Sequence, residues 1–316
     1  MLPHADIDLN WKQRLTEWCR QVRGLFPFQI NQPSLPRDTS VENPSPVTLG
    51  RAWQSPRFYL EVVPVFVVLL LYAGQVAPNV NETHYLTKAK HFWNPDWCPN
   101  DLFLASSFSH YLFYWATGWL TWFVSLDTFA WIGRTLCWAG FAVGWHQLVQ
   151  FFCNRPGRSF LGILLLLLLI DRFHLAGEWV IGGFEAKSIS YVLVLFALER
   201  YFRNDWGLFW PVIGLACAFH VLAGGWVLIA LVIGNLLYAL SMLAAGTHAR
   251  NRMRCPTLPF LCFWALFALG VLPPLIQQAQ VETAVQQQAF QVQVHERLPH
   301  HLLFGAFATH HIARFA

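Results

Sequence analysis

The chain has 316 residues, 55% of them hydrophobic and 16% aromatic, with only 12% charged and a formal net charge of +4. That balance excludes a soluble domain with a single anchor and indicates an all-α polytopic membrane protein, with no basic patch for nucleic acid. Seven cysteines without a CxxC pair give no structural disulfide framework.

Residues 1–57 carry seven Lys/Arg (Lys12, Arg14, Arg20, Arg23, Arg37, Arg51 and Arg57) and no apolar signal core. The segment is therefore expected in the cytoplasm, with the first span acting as an uncleaved signal anchor in the cell membrane. Residues 11–28 place Trp11, Leu15, Trp18, Val22 and Leu25 on one face, which predicts an amphipathic helix lying on the membrane surface. Residues 31–56 are rich in Pro, Ser, Thr and Asn and read as a linker.

Residues 58–77 match the roughly 20 apolar residues that cross a hydrocarbon core about 30 Å thick. Comparable stretches follow at 129–153, 206–222, 225–245 and 257–276, with shorter ones at 160–170 and 188–202. Together they predict a bundle of about seven transmembrane helices over 58–276, followed by an outer-face segment at 277–316. Residues 108–124 are long enough to cross but carry His110, Tyr114, Thr117 and Thr121 at helical spacing, flanked by Trp115, Trp119, Trp122 and Phe123. Treated as an in-plane interfacial helix, this segment leaves Arg155, Arg158, Arg200, Arg203, Arg250, Arg252 and Arg254 inside, as the positive-inside rule asks.

Three outer regions then result: 78–127, 171–187 and 277–316. Acidic residues gather there, among them Glu82, Asp96, Asp101, Asp171, Glu178 and Glu185. Residues 160–170 span only roughly 16 Å as a helix, so the helix is expected to run on through Asp171 and Arg172 and the second outer loop to dip into a polar cavity. Asp171 and Arg172 can neutralise each other. Glu185 and Lys187 can also neutralise each other, but they are two residues apart and do not face each other on a helix, so the preferred expectation is that each finds a partner elsewhere. Arg134, inside the second span, is expected to pair with an acid or to snorkel. His146 and His220 sit on apolar stretches and read as core histidines.

The first outer region opens with the string from Asn81, Glu82, Thr83, His84, Tyr85, Leu86, Thr87, Lys88 and Ala89 to Lys90. Its Glu82, Tyr85 and Ala89 follow a Glu-x-x-Tyr-x-x-x-Ala pattern. With the first span, the in-plane helix and the short acidic loop at 171–185, the chain resembles the GT-C superfamily of membrane glycosyltransferases. The strings 84–97 and 182–187 are also similar to a family of bacterial multi-span membrane proteins, a similarity that implies no activity.

The GT-C resemblance implies transfer of a sugar from a polyprenyl-phosphate carrier at the outer membrane face. It implies catalytic carboxylates at Glu82, Asp171 and Glu185, with Glu82 as the base for an acceptor hydroxyl. It implies substrate contacts from His84, Tyr85, Lys88, Arg172, Lys187, Arg297 and His300, the cations serving the leaving phosphate. The implied partners are the lipid bilayer and a lipid-linked sugar, and the expected site is one cavity uniting Glu82, Asp171, Glu185 and Arg297.

Asn81 departs from the acidic residue that many GT-C enzymes carry, which bears against a paired-carboxylate metal site. The end of the chain within an outer segment reads as a shortened member. No cofactor is assigned. His295, Glu296, His300, His301, His310 and His311 leave a divalent metal open, but adjacent histidines chelate poorly from one helix face, so phosphate recognition by Arg297 and His300 is the preferred reading. A transporter or a non-catalytic scaffold is the alternative class.

Overall fold

A computed structural model describes residues 55–79, 81–173, 180–244, 253–281 and 283–297, together with 299, 303, 305 and 306. All the elements among these residues are helices, in agreement with the all-α expectation. The expected surface helix at 11–28 and linker at 31–56 fall outside the described residues, apart from the last two positions of the linker.

Helix α1 (Pro56–Ala73) begins with Pro at its first helical position, where the missing N–H costs nothing. Phe58, Glu61, Val62, Val65 and Leu69 recur at helical spacing and are buried, while Leu60 and Leu71 on the opposite side are 75% and 79% exposed. The buried stripe meets α5 (Leu126–Phe152) and α6 (Arg158–Phe173) in a core with Trp138, Phe141, Ile163 and Leu167. Ser125 starts α5 by accepting a hydrogen bond from the Thr128 N–H, 3.2 Å away.

Between α1 and α5 the chain forms α2 (Glu82–Trp93), the single turn α3 (Leu102–Ala105), α4 (Tyr111–Thr117) and a 3₁₀ turn, Gly118–Trp122. The charged string is thus a helix, with Leu86 and Ala89 packed against Phe113, Tyr114 and Phe129. The expected in-plane helix at 108–124 is instead two short pieces. Gly118 marks the change: a Cβ there would lie 2.5 Å from the Ala89 carbonyl oxygen, so α2 crosses tightly over the junction. Trp115, Trp119, Trp122 and Phe123 are exposed.

Helix α7 (Ala186–Phe202) packs on α5 and on α8 (Trp206–Phe219), which in turn lies along α10 (Thr257–Ala279). Their core is Phe209, Trp210, Ile213, Ala216 and Phe263. A Cβ on Gly270 would stand 2.3 Å from the Ala218 carbonyl oxygen, so α10 reaches α8 backbone to backbone. Helix α9 (Val221–Ala244) follows α8 after one extended residue, His220, and returns along it. Helix α10 runs past position 276, and the Gln277 side-chain oxygen accepts from the Phe108 N–H at 2.9 Å. Helix α11 (Thr283–Gln291) and a π turn, Val292–Arg297, follow.

Among the described residues, three helices are long and apolar enough to cross a membrane: Pro56–Ala73, Val221–Leu243 and Thr257–Ala279. The other four expected spans correspond to α5, α6, α7 and α8; the described part of α6 has 16 residues, and α7 and α8 have 17 and 14, at or below the lower end of the crossing range. Helix α5 has 27 residues but buries Arg134 and His146 within them.

Candidate functional site

Glu82 occupies the first turn of α2 and is completely buried. Arg134 of α5, equally buried, grips it from the side: Nε donates to Oε1 at 2.7 Å and Nη2 donates to Oε2. The Phe184 N–H donates to Oε1, the Asn79 N–H donates to Oε2 at 2.7 Å, and Arg134 Nη1 donates to the Gln75 carbonyl. Four donors fill the roughly four acceptor positions of a carboxylate. The predicted acidic partner of Arg134 is therefore Glu82, and the residue expected as a base forms the hub that joins the end of α1, α2, α5 and the segment leading into α7.

The GGFEAK string is shaped around this hub. A Cβ on Gly183 would lie 2.5 Å from the Glu82 carboxyl carbon, so only glycine permits the approach. The Gly182 carbonyl accepts from Trp138 Nε1 at 3.1 Å, and the Phe184 ring packs 5.1 Å from Phe113 and 5.3 Å from Phe129.

Glu185 is the N-cap of α7, in a capping box with Ser188. Its backbone is extended (φ −136°, ψ 169°), and Lys187 Nζ lies 3.6 Å from its Oε2. This corrects the expectation that the two residues face apart, because spacing rules for a helix do not govern a residue outside it. Both are buried, Glu185 at 1% and Lys187 at 5% exposure.

Nearly two turns along α2 from Glu82, Lys88 is 4% exposed. Its Nζ donates to the Phe103 carbonyl at 3.1 Å and to Ser106 Oγ at 2.6 Å, and it lies over the rings of Phe103 and Phe108 at 4.7 and 5.4 Å. Among the described residues no carboxylate forms an ion pair with it. Burial lowers its pKa to about 8.

Tyr85 points to the same region, its hydroxyl 3.0 Å from His110 Nε2. The His110 ring stacks on His220 at 5.1 Å and 14°, and the backbone of Phe219 supplies a further hydrogen bond. Burial holds the His110 pKa down at about 4, helped by His220 and by the positive charges of Lys187 and Lys88. His110 thus senses both lysines, one from α2 and one from α7.

His84 is exposed on α2, its ring edge-on to Phe103 at 5.3 Å. Asp171 and Arg172 extend α6 as expected and are exposed; Asp171 accepts from the Tyr72 hydroxyl at 3.1 Å. Among the described residues, no hydrogen bond or ion pair joins Asp171 to the Glu82 hub or to Arg172. The Arg297 side chain and His300 lie outside the described residues, as do His301, His310 and His311. Among the described residues no three His, Cys, Asp or Glu side chains gather as a metal-binding set.

Sequence reasoning passed over His110 as a site residue and took His220 for an ordinary core histidine. The available signal was the polar stripe beginning at His110; nothing local announced His220, whose role comes from the one-residue break between α8 and α9. Chemically, the region offers two buried ammonium groups, two imidazoles and a phenol. Comparison with protein families, curated proteins and solved structures finds no match to the chain.

Proposed function

We propose that this is a multi-pass protein of the cell membrane, with about seven spans and a cytoplasmic N-terminus, that binds the phosphate of a polyprenyl-phosphate sugar at its outer face and acts as a GT-C-like glycosyltransferase. The observation that carries this reading is Lys88, a buried ammonium without a carboxylate partner among the described residues. A buried charge is costly until it meets its opposite, and a phosphate is the anion whose recognition by Lys is familiar. Lys187, on α7, supplies a second cation whose charge His110 also senses. Three long apolar helices and the distribution of Lys and Arg support the membrane placement.

In this reading Lys88 and Lys187 hold the phosphate, Tyr85 and His84 contact the donor, and Glu185 takes the proton from the acceptor hydroxyl. Asp171, Arg172, Arg297 and His300 belong to the rim. Glu82 keeps the two halves of the site in register through Arg134. The test is the full chain in nanodiscs containing either polyprenyl phosphate or neutral polyprenol. Selective binding of the phosphate, weakened in Lys88→Met, together with sugar transfer lost in Glu185→Gln, supports the reading. Equal affinity for the two lipids overturns it.

A second reading, a non-catalytic membrane scaffold, draws on the complete engagement of the Glu82 carboxylate by Arg134 and two backbone amides. Under it, the lysine and Glu185 variants alter stability and no sugar is transferred by the intact chain.

A further inference from the structure

Helices α1 and α6 lie side by side and run in the same direction. Near their starts Glu61 Oε1 accepts from the Gly157 N–H at 2.6 Å, and near their ends the Tyr72 hydroxyl donates to Asp171 at 3.1 Å. Each turns one face inward, with Val62, Val65 and Leu69 of α1 and Ile163 and Leu167 of α6 in a shared core. Each also keeps an outward aliphatic face: Leu60, Val67 and Leu71 are exposed on α1, and Leu161, Leu165 and Leu168 on α6.

An arginine heads each outward face. Arg57 shares one side of α1 with Leu60, Val67 and Leu71, and Arg158 shares one side of α6 with Leu161, Leu165 and Leu168, because spacings of three, seven, ten and fourteen residues return to nearly the same helical angle. The turn before α6 adds a third. Arg57 Nη2 donates to Asn154 Oδ1 at 3.3 Å, and the Arg158 N–H donates to the Arg155 carbonyl at 3.4 Å, so Arg57, Arg155 and Arg158 meet at one junction, all three exposed. Asn154 is neutral and takes no charge from Arg57. The Glu61 carboxylate at this junction is turned inward and buried, so the outward surface is cationic at its start and aliphatic beyond it.

A guanidinium holds a phosphate through paired N–H donors, and several together repel a headgroup that carries its own ammonium. Basic clusters at the ends of membrane helices select anionic headgroups for this reason. A free phosphate would use the arginines but leave both leucine faces bare, whereas acyl chains cover them. We propose that the junction of α1 and α6 is a binding site for an anionic diacyl phospholipid, its phosphate on Arg57, Arg155 and Arg158 and its acyl chains along the outward faces of the two helices. The inference rests on the membrane placement proposed above and not on the phosphate site at Lys88, which lies beyond the other end of α1 and shares no residue with this one.

The test is native mass spectrometry of the full chain in detergent, titrated with dioleoyl phosphatidylglycerol and with dioleoyl phosphatidylcholine, which differ in headgroup alone. Phosphatidylglycerol is expected to bind at least about tenfold more tightly, on a scale of about fivefold for each Lys or Arg at an anionic surface. Arg57→Gln/Arg155→Gln/Arg158→Gln is expected to abolish the preference. Arg155→Gln/Arg158→Gln, which keeps the Arg57 contact to Asn154, is expected to reduce it and decides the matter if the triple variant fails to fold by thermal melting. Arg254→Gln, an exposed arginine on another element, and Lys88→Met are each expected to retain it. Equal binding of the two lipids by the intact chain, an unchanged preference in the folded arginine variants, or displacement of the lipid by an equal concentration of soluble glycerol phosphate overturns the proposal. A chain that stays in aqueous solution without detergent overturns the membrane placement along with it, whereas a detergent-bound chain without lipid preference overturns this proposal alone.

Discussion

A Cβ on Gly133 would stand 2.1 Å from the ring of Phe184. The missing side chain on α5 is the seat of the aromatic ring that leads the 184–187 segment into α7. Gly133→Ala forces the ring or the helix to move, and overpacking of this kind costs about 1–3 kcal/mol. A lower melting temperature in detergent, with Phe184→Leu recovering part of the loss in the double variant, is the expected result.

The Glu82–Arg134 pair sets a second expectation. Removing one member leaves a buried charge without its opposite, and each of Glu82→Leu and Arg134→Leu should lose about 3–5 kcal/mol. The double variant removes both charges and should lose less than the sum of the two, a coupling that a double-mutant cycle by denaturant unfolding measures. Additive losses would sink the assignment of the pair as a single unit.

His110 predicts a pH dependence. Its pKa falls from 6.5 to about 4 on folding, so the folded protein binds fewer protons than the unfolded chain within that window. The contribution of His110 is complete above pH 6.5 and declines as pH drops toward 4, by about 3 kcal/mol in all. Melting temperatures recorded from pH 7.5 to 4 should fall in the wild type, and more shallowly in His110→Asn. Tyr85, Tyr114, Lys88, Lys187 and His220 face this imidazole, so Tyr85→Phe is a useful second variant that tests the hydroxyl contact.

Lys88→Met should leave thermal stability unchanged or raise it. The substitution keeps an unbranched apolar stem and removes a buried ammonium at the loss of two hydrogen bonds. A large destabilisation would mean that these two bonds, and not a ligand, are the reason for the lysine.

The apolar helices were legible in the sequence from the length of their apolar runs, whereas the polar helices α2 and α11 carry no such run. The continuation of α6 through Asp171 and Arg172 followed from length alone, since eleven residues are too few to cross. What local spacing could not reveal is anything that depends on residues meeting from far along the chain. Arg134 reaches Glu82 across 52 positions and Phe184 reaches it across 102. The Glu185–Lys187 contact escaped for a different reason: a helical rule was applied to a residue that caps the helix in extended backbone. The tight approach at Gly118 was hidden because the Ala89 carbonyl that it admits sits on another element.

The hub at Glu82 also has an order in time. Its carboxylate leaves the ribosome first, Arg134 follows, and the amide of Phe184 arrives last, so the cluster is closed only after the first 184 residues have been made. The Phe184 amide is thus the last of the four donors to the Glu82 carboxylate to be made, and it lies on the segment that leads into α7. A chain that stops before residue 184 lacks this donor, and the GGFEAK segment is the piece that supplies it.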